Sequence, residues 1–146
     1  MTAAAVALTV IAGLAGSMQV AVMGRFGDRI GTVEALTFAT EVQLALSFMI
    51  LVVARTGLGG LPDALRSPPW MWLGRVMGLT VVFSITFAQP RIGATATIGI
   101  LIAGQLAMGA LIDRFGLFGV EQYAISWPRA LGIGLLGAGA ALSLAR

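Results

Sequence analysis

The chain has 146 residues, of which 58% are hydrophobic and only 10% charged, with nine basic and six acidic side chains. A soluble domain carries about 25% charged residues, so water cannot be the only solvent for this one. There is no Cys, His, Lys or Asn, which excludes disulfides, thiolate chemistry and the commonest zinc ligand and general base.

The apolar residues fall into five long stretches at about 3–23, 34–53, 70–89, 93–112 and 128–144, separated by short hinges that carry arginine. A bilayer core about 30 Å thick is crossed by about 20 helical residues. Each stretch is close to that length, and no alternation of apolar and polar residues supports a barrel. A lipid-facing backbone must satisfy its own hydrogen bonds, which leaves helices. The expected fold is therefore an all-α integral membrane domain over residues 1–146, with five spans and no soluble domain.

The first stretch, Ala3–Met23, lacks the basic leader and short apolar run of a signal peptide, and reads as a spanning helix that the mature protein keeps. Gly24-Arg25-Phe26-Gly27-Asp28-Arg29-Ile30-Gly31 reads as the first hinge. The second hinge, Arg55–Pro69, holds Gly57, Gly59, Gly60, Pro62 and Pro68. Trp70 and Trp72 then open the third span as interfacial belt residues. Pro90-Arg91-Ile92-Gly93 makes a tight third hinge, and Asp113–Trp127 a longer fourth. Pro128 suits the first turn of the last helix. Arg-Phe-Gly occurs at 25–27 and 114–116, at spacings too different to argue for duplication.

Small residues recur at helical spacing. Gly74 and Gly78 open the third span; Gly99, Ala103 and Ala107 mark a face of the fourth; Ala130, Gly134 and Ala138 mark a face of the fifth, with Gly137 and Ala141 beside them. In lipid such stripes let helices approach closely. They imply a compact bundle with a helix partner beyond the protomer.

The arginines sit one or two per hinge rather than in a patch, so the isoelectric point of 11.1 does not indicate nucleic acid. With five spans, Arg55, Arg66, Arg114 and Arg129 face one side, and Arg25, Arg29, Arg91 and Arg146 the other. Orientation is set by an excess of basic residues on the cytoplasmic side, and here the sides balance unless Arg75 tips them. Balance points to insertion both ways and to an antiparallel homodimer, an inverted pair of the kind many transporters carry internally. A weak preference for one side, or an oppositely oriented partner protein, is the other reading.

Glu41, within the second span, is the leading candidate for chemistry. A carboxylate there costs about 2.5–3.5 kcal/mol on insertion scales and usually faces a cavity or a partner, as a proton relay or cation ligand. Packing on a neighbouring helix's hydroxyl, or tilting toward the headgroups, is the plainer alternative. Gln43 follows it, and Arg75, entering from the opposite side, is its candidate counter-ion across a dimer interface. Gln19 and Gln105 lie inside the first and fourth spans and could bind a substrate or bridge helices. Asp113 with Arg114 reads as an interfacial ion pair, and Gly24, Arg25, Pro90 and Arg91 as structural or topological residues. No paired carboxylates, phosphate loop or metal cluster points to an enzyme, a cofactor or a metal.

The order of these motifs resembles a known family. Gln19 and Gly24-Arg25-x-Gly27 are followed by Pro69-Trp70-x-Trp72-Leu73-Gly74, Pro90-Arg91-x-Gly93-Ala94, Gly104-Gln105, Ile112-Asp113-x-Phe115-Gly116 and Ser126-Trp127-x-Arg129-x-x-Gly132. The run is similar to the YdcZ-type proteins of the drug/metabolite transporter superfamily. The resemblance implies an inner-membrane transporter, often called an exporter. It also implies five-helix units that act as antiparallel homodimers, as pairs of paralogues or as fused ten-helix chains. Met23, Arg75, Glu41 and Gln43 depart from the family pattern, so Glu41 is not carried over from it. The reading that results is a small-molecule transporter in the bacterial inner membrane. Gln19, Glu41 and Gln105 would line a midplane cavity, with protons coupled through Glu41. A passive channel and a non-transporting membrane subunit are the alternatives.

Overall fold

The computed structural model describes residues 2–54 and 60–144. Arg55, Gly57, Gly59 and Arg146, used in the hinge and charge readings, lie outside the described residues. Among those described there is no strand. The helices are α1 (Thr2–Ile30), α2 (Thr32–Val53), a short α3 (Leu61–Leu65), α4 (Leu73–Ile92), α5 (Ala94–Phe115) and α6 (Trp127–Leu142), with 3-10 turns at Pro69–Trp72 and Leu117–Gly119. Among the described residues four helical segments are long and apolar enough to cross a bilayer: Ala3–Ile30, Thr32–Val53, Pro69–Ile92 and Ala94–Phe115. The fifth, α6, has 16 residues and reaches about 24 Å at 1.5 Å per residue, short of a full hydrocarbon core.

The first hinge is smaller than its composition implied. Gly24 to Ile30 continue α1 as helix, and the break is Gly31 alone. Nothing in that stretch forces an end, since it has no proline and an interior glycine costs only about 1 kcal/mol. At 29 residues, α1 is about 43 Å long, so its last turns reach the headgroup layer. Arg25, Asp28 and Arg29 are all exposed there. The third hinge contracts in the same way: Pro90 lies in the last turn of α4, and Gly93 alone separates α4 from α5.

The two breaks share one geometry. Gly31 has φ 103° and ψ 147°, and Gly93 has φ 83° and ψ 161°. Each glycine N–H donates to the carbonyl four residues back, Gly27 at 2.9 Å and Gln89 at 2.9 Å. Each glycine carbonyl accepts from the residue four ahead, Ala35 at 3.0 Å and Thr97 at 3.1 Å. The chain turns without orphaning the polar groups of the connecting glycine. Both sites read Arg-Ile-Gly, at 29–31 and at 91–93, a local repeat in sequence and in dihedral.

By contact the chain divides into two compact units, Val22–Phe87 and Met1–Ala21 with Ala88–Arg146. In the first, α1 and α2 fold back on one another: the Phe26 and Phe38 rings meet edge to face at 5.7 Å, whereas 12 residues of straight helix would separate them by about 18 Å. Gly27 lets α1 approach α4, since a Cβ there would fall 2.6 Å from Thr86 Cγ2. Met23, Ala35, Ile85 and Thr86 form its buried centre. In the second unit α5 and α6 run antiparallel, with Gly99 against Ala140 at one end and Asp113 joined to Arg129 at the other. The sheltered side of α6 is Ile133, Gly137 and Ala140. The stripe of Ala130, Gly134 and Ala138 lies on the side left bare in the single chain, while Gly137 beside it is on the sheltered one. A helix this rich in glycine and alanine offers small faces all round, so spacing alone did not select one.

Glycine at 31 and 93 is required by backbone conformation, because an L side chain at such dihedrals costs about 1–3 kcal/mol. A Cβ at Gly31 would also strike the Glu34 carboxylate. Gly31→Ala and Gly93→Ala are each expected to lower stability by about 1–3 kcal/mol in thermal unfolding in detergent. Gly13→Ala, where a Cβ meets nothing within 4 Å, is expected to leave it unchanged or raise it by up to about 1 kcal/mol. Equal behaviour of the three variants would contradict this account of the turns.

Candidate functional site

Hydroxyl groups within the helices satisfy themselves. Thr9, Ser17, Thr37, Thr40, Thr80, Ser84, Thr86 and Thr97 each donate to the carbonyl four residues back, at 2.7–3.0 Å. Without water, the backbone of the same helix is the nearest acceptor. Each hydroxyl proton is thereby used, and what these side chains still offer a ligand is oxygen lone pairs.

That matters around Glu41. The residue is the tenth of α2, about 14 Å from one end of the helix and 18 Å from the other. Because α2 begins two residues earlier than its apolar pattern indicated, Glu41 lies closer to mid-span. With Leu36, Thr37, Thr40 and Leu44 of the same helix and Leu79 of α4, it lines an open groove of about 360 Å³. Thr37 precedes Glu41 by one helical turn and shares its face. Thr37 donates to Val33 O at 2.9 Å, and Thr40 to Leu36 O at 2.9 Å. The polar side chains of the groove therefore offer acceptors only: one carboxylate and two hydroxyl oxygens, among three leucines.

Arg75 lies in a separate groove. That one, of about 460 Å³, is lined by Leu65, Ser67, Met71, Trp72, Gly74 and Arg75. Arg75 makes no ion pair within the described residues, so the structure of a single chain does not join it to Glu41. Arg75 and Leu79 are one turn apart on α4 and share a face, which brings the two grooves next to each other along that helix.

The remaining candidates lie apart. Gln43 is exposed on α2 but outside the groove around Glu41, because two residues along a helix turn the side chain to the opposite flank. Gln19 on α1 and Gln105 on α5 are exposed and make no side-chain hydrogen bond among the described residues. Gly74 and Gly78 have open space where a Cβ would stand. Gly24 is buried in α1, while Arg25, Pro90 and Arg91 are exposed. Asp113 pairs with Arg129 at the foot of α6, not with its neighbour Arg114.

Two features were not anticipated. Thr37 and Thr40 build the wall beside Glu41, and their spacing from it was the signal that could have found them. Gln89 carries a buried Oε1 with no hydrogen-bond partner. Its place just before Pro90 made it read as a helix boundary, whereas α4 continues past it to Ile92. Among the described residues no group of three or more metal-ligating side chains is present.

The motif order has a firm counterpart among known proteins. The family model described as "Putative inner membrane exporter, YdcZ" matches residues 4–142. The chain belongs to this family. "Inner membrane protein YdcZ" of Escherichia coli (strain K12) is 27% identical over 123 residues, covering 84% of this chain and 83% of that protein. No solved structure matches. Family membership and the four long apolar helices make the chain a multi-pass protein of the bacterial inner membrane.

The loop between α5 and α6 is tied to the same end as the Asp113–Arg129 pair. Tyr123 N–H donates to Asp113 O at 2.8 Å, and the Tyr123 hydroxyl donates to Glu121 Oε2 at 2.8 Å. That bond holds the phenol neutral; with desolvation and the Asp113 charge added, the Tyr123 pKa rises above 10.0. It is the single tyrosine of the chain, so phenolate absorbance reports it alone. The wild-type midpoint is expected above 10.0, and Glu121→Gln is expected to move it down. Identical midpoints would show that the bond to Glu121 does not form in the membrane protein.

Proposed function

We propose that the protein is an inner-membrane transporter that exports a small organic cation, exchanging it for a proton at Glu41. The observation that carries this reading is the groove around Glu41: a carboxylate near mid-span whose polar neighbours, Thr37 and Thr40, present only acceptors. A ligand suited to it brings hydrogen-bond donors or positive charge on an apolar body, such as an alkylammonium ion. A carboxylate near mid-span is costly when ionised and unpaired in the hydrocarbon layer, so the site alternates between a bound proton and a bound cation. Protonation releases the cation, and loading the cation expels the proton. The family description, an inner-membrane exporter, supports the same direction.

In this reading one chain supplies half of the carrier. Two five-helix copies pair in opposite orientation into a ten-helix assembly, and each residues 1–146 copy acts as one domain. The balanced arginines of the hinges support dual insertion, and an oppositely inserted paralogue would complete the unit equally well. Gln19, Gln105 and Gln43, exposed and unsatisfied in the single chain, face the second copy or the passage between copies. Alternating access then follows from rocking of the two inverted halves.

The test uses protein reconstituted into vesicles with a dansyl-labelled alkylammonium ion as probe. Wild-type protein is expected to concentrate the probe when a proton gradient is imposed. Glu41→Gln is expected to reduce uptake by roughly tenfold or more, on the scale of losing one charge-assisted contact, while Glu41→Asp retains part of it. Uptake that equilibrates without concentrating, and ignores the gradient, would establish a passive channel instead. No flux from wild-type protein would favour a non-transporting subunit.

A further inference from the structure

The groove around Arg75 has the opposite chemistry to the one around Glu41. Its walls are Leu65 at the end of α3, Met71 and Trp72 of the 3-10 turn, and Gly74 and Arg75 in the first turn of α4, with Ser67 at the rim. Arg75 brings five N–H donors and no acceptor, and among the described residues no carboxylate neutralises it. Asp63, the acidic residue of α3, makes no ion pair among the described residues. Ser67 donates to Asp63 O at 3.2 Å, which holds the rim of the groove against α3. Gly74 adds space, since a Cβ there would meet nothing within 4 Å.

Depth fixes what can enter. The membrane-crossing segment begins at Pro69, so Arg75 lies about 10–11 Å along it. An arginine at that depth extends its guanidinium back toward the phosphate layer. Trp70 and Trp72, 46% and 52% exposed, flank it at the level where tryptophans mark the bilayer interface. Arg66 follows α3 and is exposed, adding positive charge on the approach. Leu65 and Met71, 73% and 52% exposed, make the rest of the wall too apolar for a freely hydrated phosphate and suited to the first methylenes of acyl chains.

We propose that this groove is a binding site for an anionic phospholipid, with the headgroup phosphate on the Arg75 guanidinium and the glycerol and upper acyl chain along Leu65, Met71 and Trp72. The complementarity is one of charge and of amphipathy: a fork of donors for the phosphate, and an apolar trough for what is attached to it. The site stands apart from the proposed transport chemistry at Glu41, with which it shares no lining residue. A lipid held here braces the turn that leads into α4, the helix that also contributes Leu79 to the groove around Glu41.

The experiment is native mass spectrometry of the purified full chain, offered phosphatidylglycerol and phosphatidylcholine of matched acyl length. Wild-type protein is expected to retain phosphatidylglycerol about tenfold over phosphatidylcholine, whose choline ammonium offsets the phosphate charge and competes with Arg75 for it; tenfold is the scale of a charged hydrogen-bonded contact. Arg75→Gln is expected to bring that ratio close to one, and Arg75→Lys to keep part of it. Gly74→Leu, which fills the trough and leaves the charge, is expected to weaken retention of both lipids. Inorganic phosphate is expected not to displace phosphatidylglycerol. Equal retention of the two lipids by the wild type would overturn the proposal without reference to any variant's folding. An unchanged ratio in Arg75→Gln, or displacement by inorganic phosphate, would overturn it as well.

Discussion

Every backbone N–H and C=O in the hydrocarbon core needs a partner within the protein, and most of what distinguishes this chain follows from that constraint. The single-glycine turns at 31 and 93 keep to it even at the span ends: each donates to residue i−4 and accepts from residue i+4, which leaves the connecting peptide fully bonded. It explains the hydroxyls as well. Among the described residues, eight serines and threonines of the spans donate to the carbonyl four residues back, which lets polar residues sit in an apolar chain and consumes their protons.

The second effect shapes the chemistry. A threonine beside Glu41 could in principle solvate the carboxylate by donating to it. Thr37 and Thr40 cannot do so while bonded to Val33 and Leu36. Neither hydroxyl solvates the carboxylate, and the polar groups of the groove are all acceptors. One turn along α4 the polarity reverses at Arg75, whose guanidinium offers donors only and extends toward the headgroup layer. Two grooves that adjoin along α4 thus differ in chemistry and in depth, one suited to the proposed passenger and one to the proposed lipid.

Much of this was legible in the sequence because apolar length is a strong signal. The four long spans and the family follow from runs of hydrophobic residues and from the order of short motifs. The boundaries were less legible. Gly24-Arg25-Phe26-Gly27-Asp28-Arg29 has the composition of a loop, yet a helix leaving the bilayer can carry charge in the headgroup layer without breaking. Pro90 likewise looked like a hinge, although in a last turn it removes one hydrogen bond and the helix still ends at Ile92. Which small face of α6 meets α5 was not legible, because glycine and alanine occur on all its sides. Glu41 stood out as a carboxylate in a span, but its neighbours Thr37 and Thr40 did not, since threonine is common in membrane helices and only the bonding of its hydroxyl shows what it offers.

In the proposed function, Gln19, Glu41 and Gln105, exposed in the single chain, would be covered by a second, inverted copy that supplies the other half of the passage. The most direct measurement fuses two reporters in turn to the C-terminus at Arg146, one active only in the cytoplasm and one only outside it. Activity from both is the predicted result, as expected for a chain whose hinge arginines are balanced. Activity from one alone would contradict the antiparallel homodimer and require an oppositely inserted partner or a parallel assembly in its place.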